Sequence, residues 1–377
     1  MRKKDFNLRI WKGIEKREKS GEKMQGEQEK QIEELKEALD KGKEKSRKKI
    51  FSSWQWYLIK YLAIWFILLI IFFGGILIYT GNWPSMMIVE SDSMQHSDDE
   101  AFLGVMDTGD MVLIKSIEDK DDIVSYMKGK RTGHETYDEY GDVLIYRKNG
   151  FKDTTPVIHR AIIWLEYNET SHSFDLPELK HHDSGEDEEW YVVGGEDRWY
   201  NLTGTVVLRE IGYDHEDVSI NLNGILNDFY FRSAEPHSGF VTLGDHNRGA
   251  YDQGRLTDGH EGYVRPVKLS WIEGKARGEL PGLGLTYLQG QDPEIMEHAP
   301  SNSWNMFYLS VGFIILVFFG IPIILFITEI WLKRKKAKRK MEAKIIKRLE
   351  EEMNYAESNL DKVNKVESEE ITTEREK

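Results

Sequence analysis

Two long apolar runs and a succession of short ones organise this chain. Residues 61–79 and 307–328 hold no charged side chain over 19 and 22 positions. At about 1.5 Å of rise per residue, a helix over either run can cross a hydrocarbon core of roughly 30 Å. Trp54, Trp56, Tyr57 and Trp83 border the first run, and Trp304 and Trp331 border the second. Amphipathic rings gather where lipid meets water, so both runs predict transmembrane helices. The first lies too deep in the chain, and is too long, for a removable signal peptide. Pro322, close behind Gly320, predicts a kink in the second helix.

Between these runs the pattern changes period. Short stretches rich in Val, Ile, Leu, Tyr and Trp occur at 86–89, 111–114, 143–146, 157–165, 190–193, 205–208, 240–243 and 263–271. Gly-Asp pairs and polar turns separate them. Many short strands with few helical patterns predict a mainly β domain, curled and barrel-like. Three acidic stretches, 118–140, 166–189 and 214–227, read as insertions or loops. The ends are polar and lysine-rich. Residues 27–49 have helix-favouring composition, with Glu37 and Lys41 at i,i+4 spacing, and 333–360 read similarly. The last dozen residues read as disordered. The organisation expected is a tail (1–54), a helix (55–80), a β-domain (81–303), a second helix (304–332) and a second tail (333–377).

Charge adds direction. The formal net charge is −14, yet residues 1–53 hold 17 basic against 11 acidic side chains and residues 333–377 hold 14 against 11. The acidic excess therefore lies wholly in the middle, which repels nucleic acid and excludes it as a partner. Arg47, Lys48 and Lys49 precede the first run, and seven Lys/Arg follow the second within residues 333–340. The positive-inside rule places both termini in the cytoplasm and the β-domain outside. There is no cysteine, so disulfides and thiolate chemistry are excluded. His181 and His182 beside Asp183 lie in an acidic loop that fixes no metal geometry. Asn168-Glu169-Thr170 and Asn201-Leu202-Thr203 are glycosylation sequons.

Three segments carry candidate chemistry. Val89-Glu90-Ser91-Asp92-Ser93-Met94 puts hydroxyls at the end of an apolar strand, shortly after the first helix. A serine needs a base to act as a nucleophile; alone, this segment is a turn. Val157-Ile158-His159-Arg160-Ala161-Ile162 sets a histidine within an apolar strand, as a general base or as a satisfied core residue. Gly244-Asp245-His246-Asn247 with Asp252 gives two carboxylates seven positions apart, either of which could orient an imidazole.

Taken together and in this order, these segments resemble the signal peptidase I family, in the archaeal and endoplasmic-reticulum branch. Gly109-Asp110-Met111-Val112, Gly141-Asp142-Val143-Leu144, Gly274-Lys275-Ala276-Arg277-Gly278 and Pro281-Gly282-Leu283-Gly284 resemble further boxes of that branch. The resemblance covers residues 55–290, interrupted by the insertions. It implies a membrane-bound serine endopeptidase with Ser93 as nucleophile, His159 as base, and Asp252 orienting His159, with Asp245 as support or alternative. It further implies an oxyanion site from the Ser93 N–H and the Ser91 hydroxyl, and a substrate floor from Met87, Val89 and Met94. No cofactor is implied. The implied partners are exported preproteins and the bilayer, with the translocon or other signal peptidase subunits as further candidates. Three departures stand out: Gln95-His96 replaces the usual proline after the nucleophile's Met, the carboxylate spacing is one longer than the branch pattern, and a second membrane span at the C-terminus is not universal in the family. His96 and His246 read as bystanders. A Ser-Lys dyad is the mechanistic competitor, with Lys115 and Lys152 as the nearest lysines. The rival from another class is a non-catalytic membrane-anchored β-domain, a receptor or an inactive subunit.

Overall fold

A computed structural model describes residue 37 and residues 55–375, except 261, 292 and 293. The helix expected over 27–49 therefore lies, but for Glu37, outside the described residues. The chain falls into two compact units, one joining the residues up to 68 with those from 322 onward, the other spanning 69–321.

The second unit is built on an antiparallel sheet. Its path runs β1 (Met86–Ile88), β2 (Met111–Lys115), β12 (Ile272–Leu280), β5 (Val143–Tyr146), β6 (Val157–Asn168) and β11 (Gly239–Leu243), with β7 (Ser173–Asp175) pairing the far end of β6. Among the described residues the path ends at β1 and β11 without pairing them, so the ladder stays open where a barrel was expected. A three-stranded sheet holds β8 (Trp190–Val192), β9 (Thr205–Ile211) and β10 (Glu216–Asn221), and β3 (Glu135–Thr136) pairs β4 (Glu139–Tyr140).

Period-2 alternation explains the layering. Along β5, Val143 and Ile145 pack with Val89, Met94, Met106, Val112 and Ile114, while Leu144 and Tyr146 pack with Ala161, Trp164, Phe240 and Val267. A strand whose residues are all fully buried thus separates two cores, and its sequence reads as an unbroken apolar run. The register Leu144↔His159 and Val143↔Arg160 puts His159 on the Tyr146 side of the sheet and Arg160 on the opposite one. A third, larger core gathers the inner ends of β6 and β11, the small sheet and α3 (Leu222–Phe231).

Helix α3 falls partly in a stretch expected to be a loop. Its Leu222, Ile225, Leu226 and Phe229 recur at helical spacing and all are buried, and the Asn221 side chain caps its start by accepting from the Gly224 N–H. The stretch 118–140 likewise holds α2 (Tyr126–Thr132), capped by Ser125 and closed by Gly133 at φ 71. The strand expected over 263–271 is not formed. That run contains Pro266, which has no N–H for a ladder, and only isolated bridges and a short 3-10 turn occur there. The last strand is β12, whose Lys275 and Arg277 hide its alternation. Both reach the fully buried Asp142, Lys275 Nζ at 2.9 Å and Arg277 Nη2 at 2.5 Å, with His134 Nε2 at 2.7 Å. Burial raises the Asp142 pKa, but Arg277 and Lys275 outweigh it and hold the carboxyl below its usual range. Gly141 precedes it at φ 83, where an added Cβ would lie 2.6 Å from the Tyr126 backbone nitrogen.

Among the described residues two helices are long and apolar enough to cross a membrane: α1 (Gln55–Thr80), and the continuous helix beginning at Ser303. The latter comprises α5 (Ser303–Ile315), a π-helical turn (Leu316–Gly320) and α6 (Ile321–Arg375). The irregularity expected at Pro322 takes this form, because proline offers no N–H to the carbonyl four residues earlier. Within the first unit, Glu329 accepts from Lys60 Nζ at 2.6 Å and from the Tyr61 hydroxyl at 2.9 Å. Helix α6 continues to Arg375, through residues whose polar composition reads as disordered. A second short helix, α4 (Leu285–Gln291), follows β12 and buries Leu285 and Leu288. The loop before β2 buries two carboxylic acids, and β12 carries a third that is half-buried. Burial lifts Asp107 to about 6, Asp110 to about 7 and Glu279 of β12 to about 8, each only partly offset by backbone N–H donors. Because the folded values exceed the unfolded ones near 4, this contribution to stability is full below about pH 4 and is lost as pH rises through about 6–8. Glu279 Oε1 accepts from the Gly104 N–H, while its Oε2 is buried without a partner. Glu279→Gln is therefore expected to raise the melting midpoint at pH 8 by a few degrees and to leave it nearly unchanged at pH 5. Thermal melts of the detergent-solubilised chain at both pH values check this; an equal shift at both would contradict it.

Candidate active site

Ser93 sits in a turn after β1, closed by the Gln95 N–H donating to the Asp92 carbonyl at 3.0 Å. The turn is pinned on three sides. Its Met94 is buried in the core below. Gln95, fully buried, accepts the Thr108 N–H at 3.0 Å. The Ser93 carbonyl accepts the His246 N–H at 3.0 Å, from the loop after β11. These contacts supply the rigidity that a proline after Met94 would otherwise give.

His159 lies in β6 and is 5% exposed. Its Nε2 stands 2.9 Å from the Ser93 Oγ, and its Nδ1 stands 2.7 Å from Asp252 Oδ2. The Ser91 Oγ is 3.1 Å from the Ser93 Oγ. The same oxygen of Asp252 accepts the Tyr146 hydroxyl at 2.7 Å and the Thr242 hydroxyl at 2.6 Å. Burial, with Asp252 adjacent, pushes the Tyr146 phenol well above its ordinary range, so it stays a donor. Gln253 completes the clamp, with its Oε1 accepting the Thr242 N–H at 2.9 Å and its Nε2 donating to Thr242 Oγ1 at 3.1 Å. Three donors on one carboxylate oxygen fix which oxygen faces the imidazole and where it lies. An acceptor held at Nδ1 leaves Nε2 as the basic nitrogen toward Ser93.

Comparison with family models, curated proteins and solved structures gives no match. The site therefore rests on its own geometry.

Asp245 takes a different place. Its carboxylate meets the buried Arg160, with Nε at 2.8 Å and Nη2 at 2.5 Å, and His96 Nε2 at 3.3 Å. Burial raises the Asp245 pKa, but the guanidinium outweighs it and the carboxyl lies below its usual range. Arg160 Nη1 also donates to the carbonyls of Thr136, Glu139, Tyr140 and Gly141 at 2.9–3.1 Å. His96, read as a bystander, stacks on Tyr213 with ring centroids 4.0 Å apart and belongs to this network. The His246 side chain stands outside it, 3.5 Å from the exposed Asp98. Of the lysines weighed as a base, Lys115 lies over the Tyr79 ring. Among the described residues no lysine is hydrogen-bonded to Ser93.

Val89 and Met94 are 2% and 1% exposed, so these side chains pack the core beneath the turn; Met87 is half-buried. Sequence reading missed Arg160, Tyr146, Thr242 and Gln253. A signal existed for Arg160: an arginine inside an apolar strand needs a buried carboxylate partner.

Gly244 is where the β11 loop crosses the dyad. An added Cβ there would lie 2.5 Å from the Ser93 carbonyl oxygen and 2.8 Å from His159 Nε2. Gly244→Ala is expected to displace the Ser93–His159 pair; if the pair is catalytic, kcat falls about 100-fold, since a shift of about 1 Å costs that much. Steady-state kinetics beside a circular dichroism spectrum checks this; unchanged kcat would contradict the placement.

Proposed function

We propose that this chain is a membrane-anchored serine endopeptidase of the signal peptidase I type, acting outside the cytoplasm on exported preproteins. The observation that carries the reading is the Ser93–His159–Asp252 series, with contacts of 2.9 and 2.7 Å, placed thirteen residues after an apolar helix.

The chemistry follows from the contacts. Ser93 Oγ attacks the scissile carbonyl carbon while its proton passes to His159 Nε2. The carbonyl oxygen becomes an oxyanion, which on this reading accepts from the Ser93 N–H and the Ser91 hydroxyl. One such donor is typically worth about 2.7–4 kcal/mol of barrier. Collapse breaks the C–N bond, and the imidazolium returns its proton to the leaving amine. Water, deprotonated by His159, then attacks the ester carbon; the bond to Ser93 Oγ breaks, the imidazolium returns its proton to that oxygen, and the signal peptide leaves with a free carboxyl end. Asp252 stabilises the imidazolium in both steps.

One feature supports the substrate class. Strand β1 pairs only with β2 among the described residues and leads directly to Ser93. Its open edge suits an extended peptide adding as a further strand. Asp245, Arg160 and His96 act on this reading as positioning residues, holding the β11 loop against the serine turn.

The test uses the full chain in liposomes with a preprotein carrying its signal peptide. The expected product begins after a small residue that has another small residue two places earlier. Absence of any cleavage, with the chain folded, would favour the non-catalytic membrane-anchored subunit or receptor.

A further inference from the structure

Asn168-Glu169-Thr170 and Asn201-Leu202-Thr203 are the two Asn-x-Ser/Thr tripeptides in the sequence, and both lie between the apolar helices. The fold brings them side by side: Asn168 Nδ2 stands 3.4 Å from Asn201 Oδ1. Their surroundings differ. Asn168 ends β6 and enters a turn in which Glu169, Thr170 and Ser171 are exposed. Its Oδ1 accepts from the Thr170 and Ser171 N–H groups at 3.1 and 3.3 Å, while among the described residues its amide nitrogen makes only long contacts of 3.4 Å to Asp175 and Asn201. The nitrogen is thus the loosely held end of the side chain.

Asn201 is exposed where Asn168 is half-buried, but it is fixed in place. Its φ is 52, its N–H donates to Asp175 Oδ1 at 2.6 Å, and its Oδ1 accepts the Ser171 hydroxyl at 2.8 Å. The next residue, Leu202, is 3% exposed, and its N–H and carbonyl both pair with Phe174, at 2.8 and 2.9 Å. Drawing this tripeptide into another enzyme's cleft would break that pairing and pull Leu202 from the core.

We propose that Asn168 is an N-glycosylation site and that the adjacent Asn201 stays unmodified. The donor class is a lipid-phosphate-linked oligosaccharide. The Asn168 nitrogen forms a bond to the anomeric carbon, the carbon–oxygen bond to the lipid phosphate breaks, and the amide proton leaves to a base of the transferase. The glycan then stands on the β6–β7 turn and covers Asn201. This rests on the outward placement of residues 81–303 and not on the proteolytic chemistry.

The experiment is glycopeptide mass spectrometry of the full chain purified from its native membranes. The Asn168 peptide is expected to carry a saccharide mass increment that Thr170→Ala removes and Thr170→Ser restores. Asn201 is expected to be occupied at least about tenfold less. Preprotein cleavage, measured on the same samples, is expected to be equal in Thr170→Ala and the unaltered chain, which separates this proposal from the protease reading. Protease added outside sealed cells reports the placement independently. An unmodified Asn168 peptide overturns the proposal: with the β-domain digested from outside, it alone fails; with that domain protected, the placement fails too. Equal or greater occupancy at Asn201 also overturns it.

Discussion

If the proposed serine-protease reading holds, Ser93→Ala is expected to abolish signal-peptide cleavage, with kcat lowered about 10⁴- to 10⁶-fold, and His159→Ala to match it within a factor of about ten. Residues that act as one unit do not contribute additively, so the double variant should be hardly worse than either single one. Both should remain folded. Ser93 is half-buried and among the described residues its Oγ meets only His159 and Ser91, so its loss leaves no buried donor stranded. His159→Ala removes one donor from Asp252, whose Oδ2 still accepts from Tyr146 and Thr242. Single-turnover cleavage of a preprotein, with melting curves of the same preparations, checks this. His159→Ala retaining near-normal kcat would point to another base.

The second large effect separates the two aspartates. On the same reading, Asp252→Ala is expected to lower kcat about 10⁴-fold in folded protein, because the imidazole loses its orienting acceptor and the charge that stabilises its cation. Asp245→Ala is expected to act on stability first. It leaves the fully buried Arg160 guanidinium without its carboxylate, a change that typically costs about 3–5 kcal/mol. Denaturant unfolding paired with kcat per folded molecule distinguishes them. Equal loss of activity in both variants, with unchanged stability in Asp245→Ala, would contradict the assignment.

The β character, the two apolar helices and the three segments that converge on the site were legible in the sequence, because each leaves a local trace: period, length, or a polar residue in an apolar run. The choice between Asp245 and Asp252 was not. Both follow β11, and which one reaches His159 depends on the β11–β6 register and its irregularity between Val241 and Thr242. Strand β12 was hidden because its charged residues are satisfied by Asp142, a partner far along the chain. Helix α3 did carry a readable 3.6-residue period, masked by the acidic run just before it. The π-turn before Pro322 shows the converse: the proline announces an irregularity and the surrounding helix decides its form.

The most direct measurement is a rapid acid quench of the full chain with excess preprotein, followed by peptide mass spectrometry. The account predicts a transient adduct on the peptide containing Ser93, an ester to the carboxyl end of the cleaved signal peptide, absent in Ser93→Ala. Product formation at the normal rate in Ser93→Ala, or an adduct on a different residue, would contradict it.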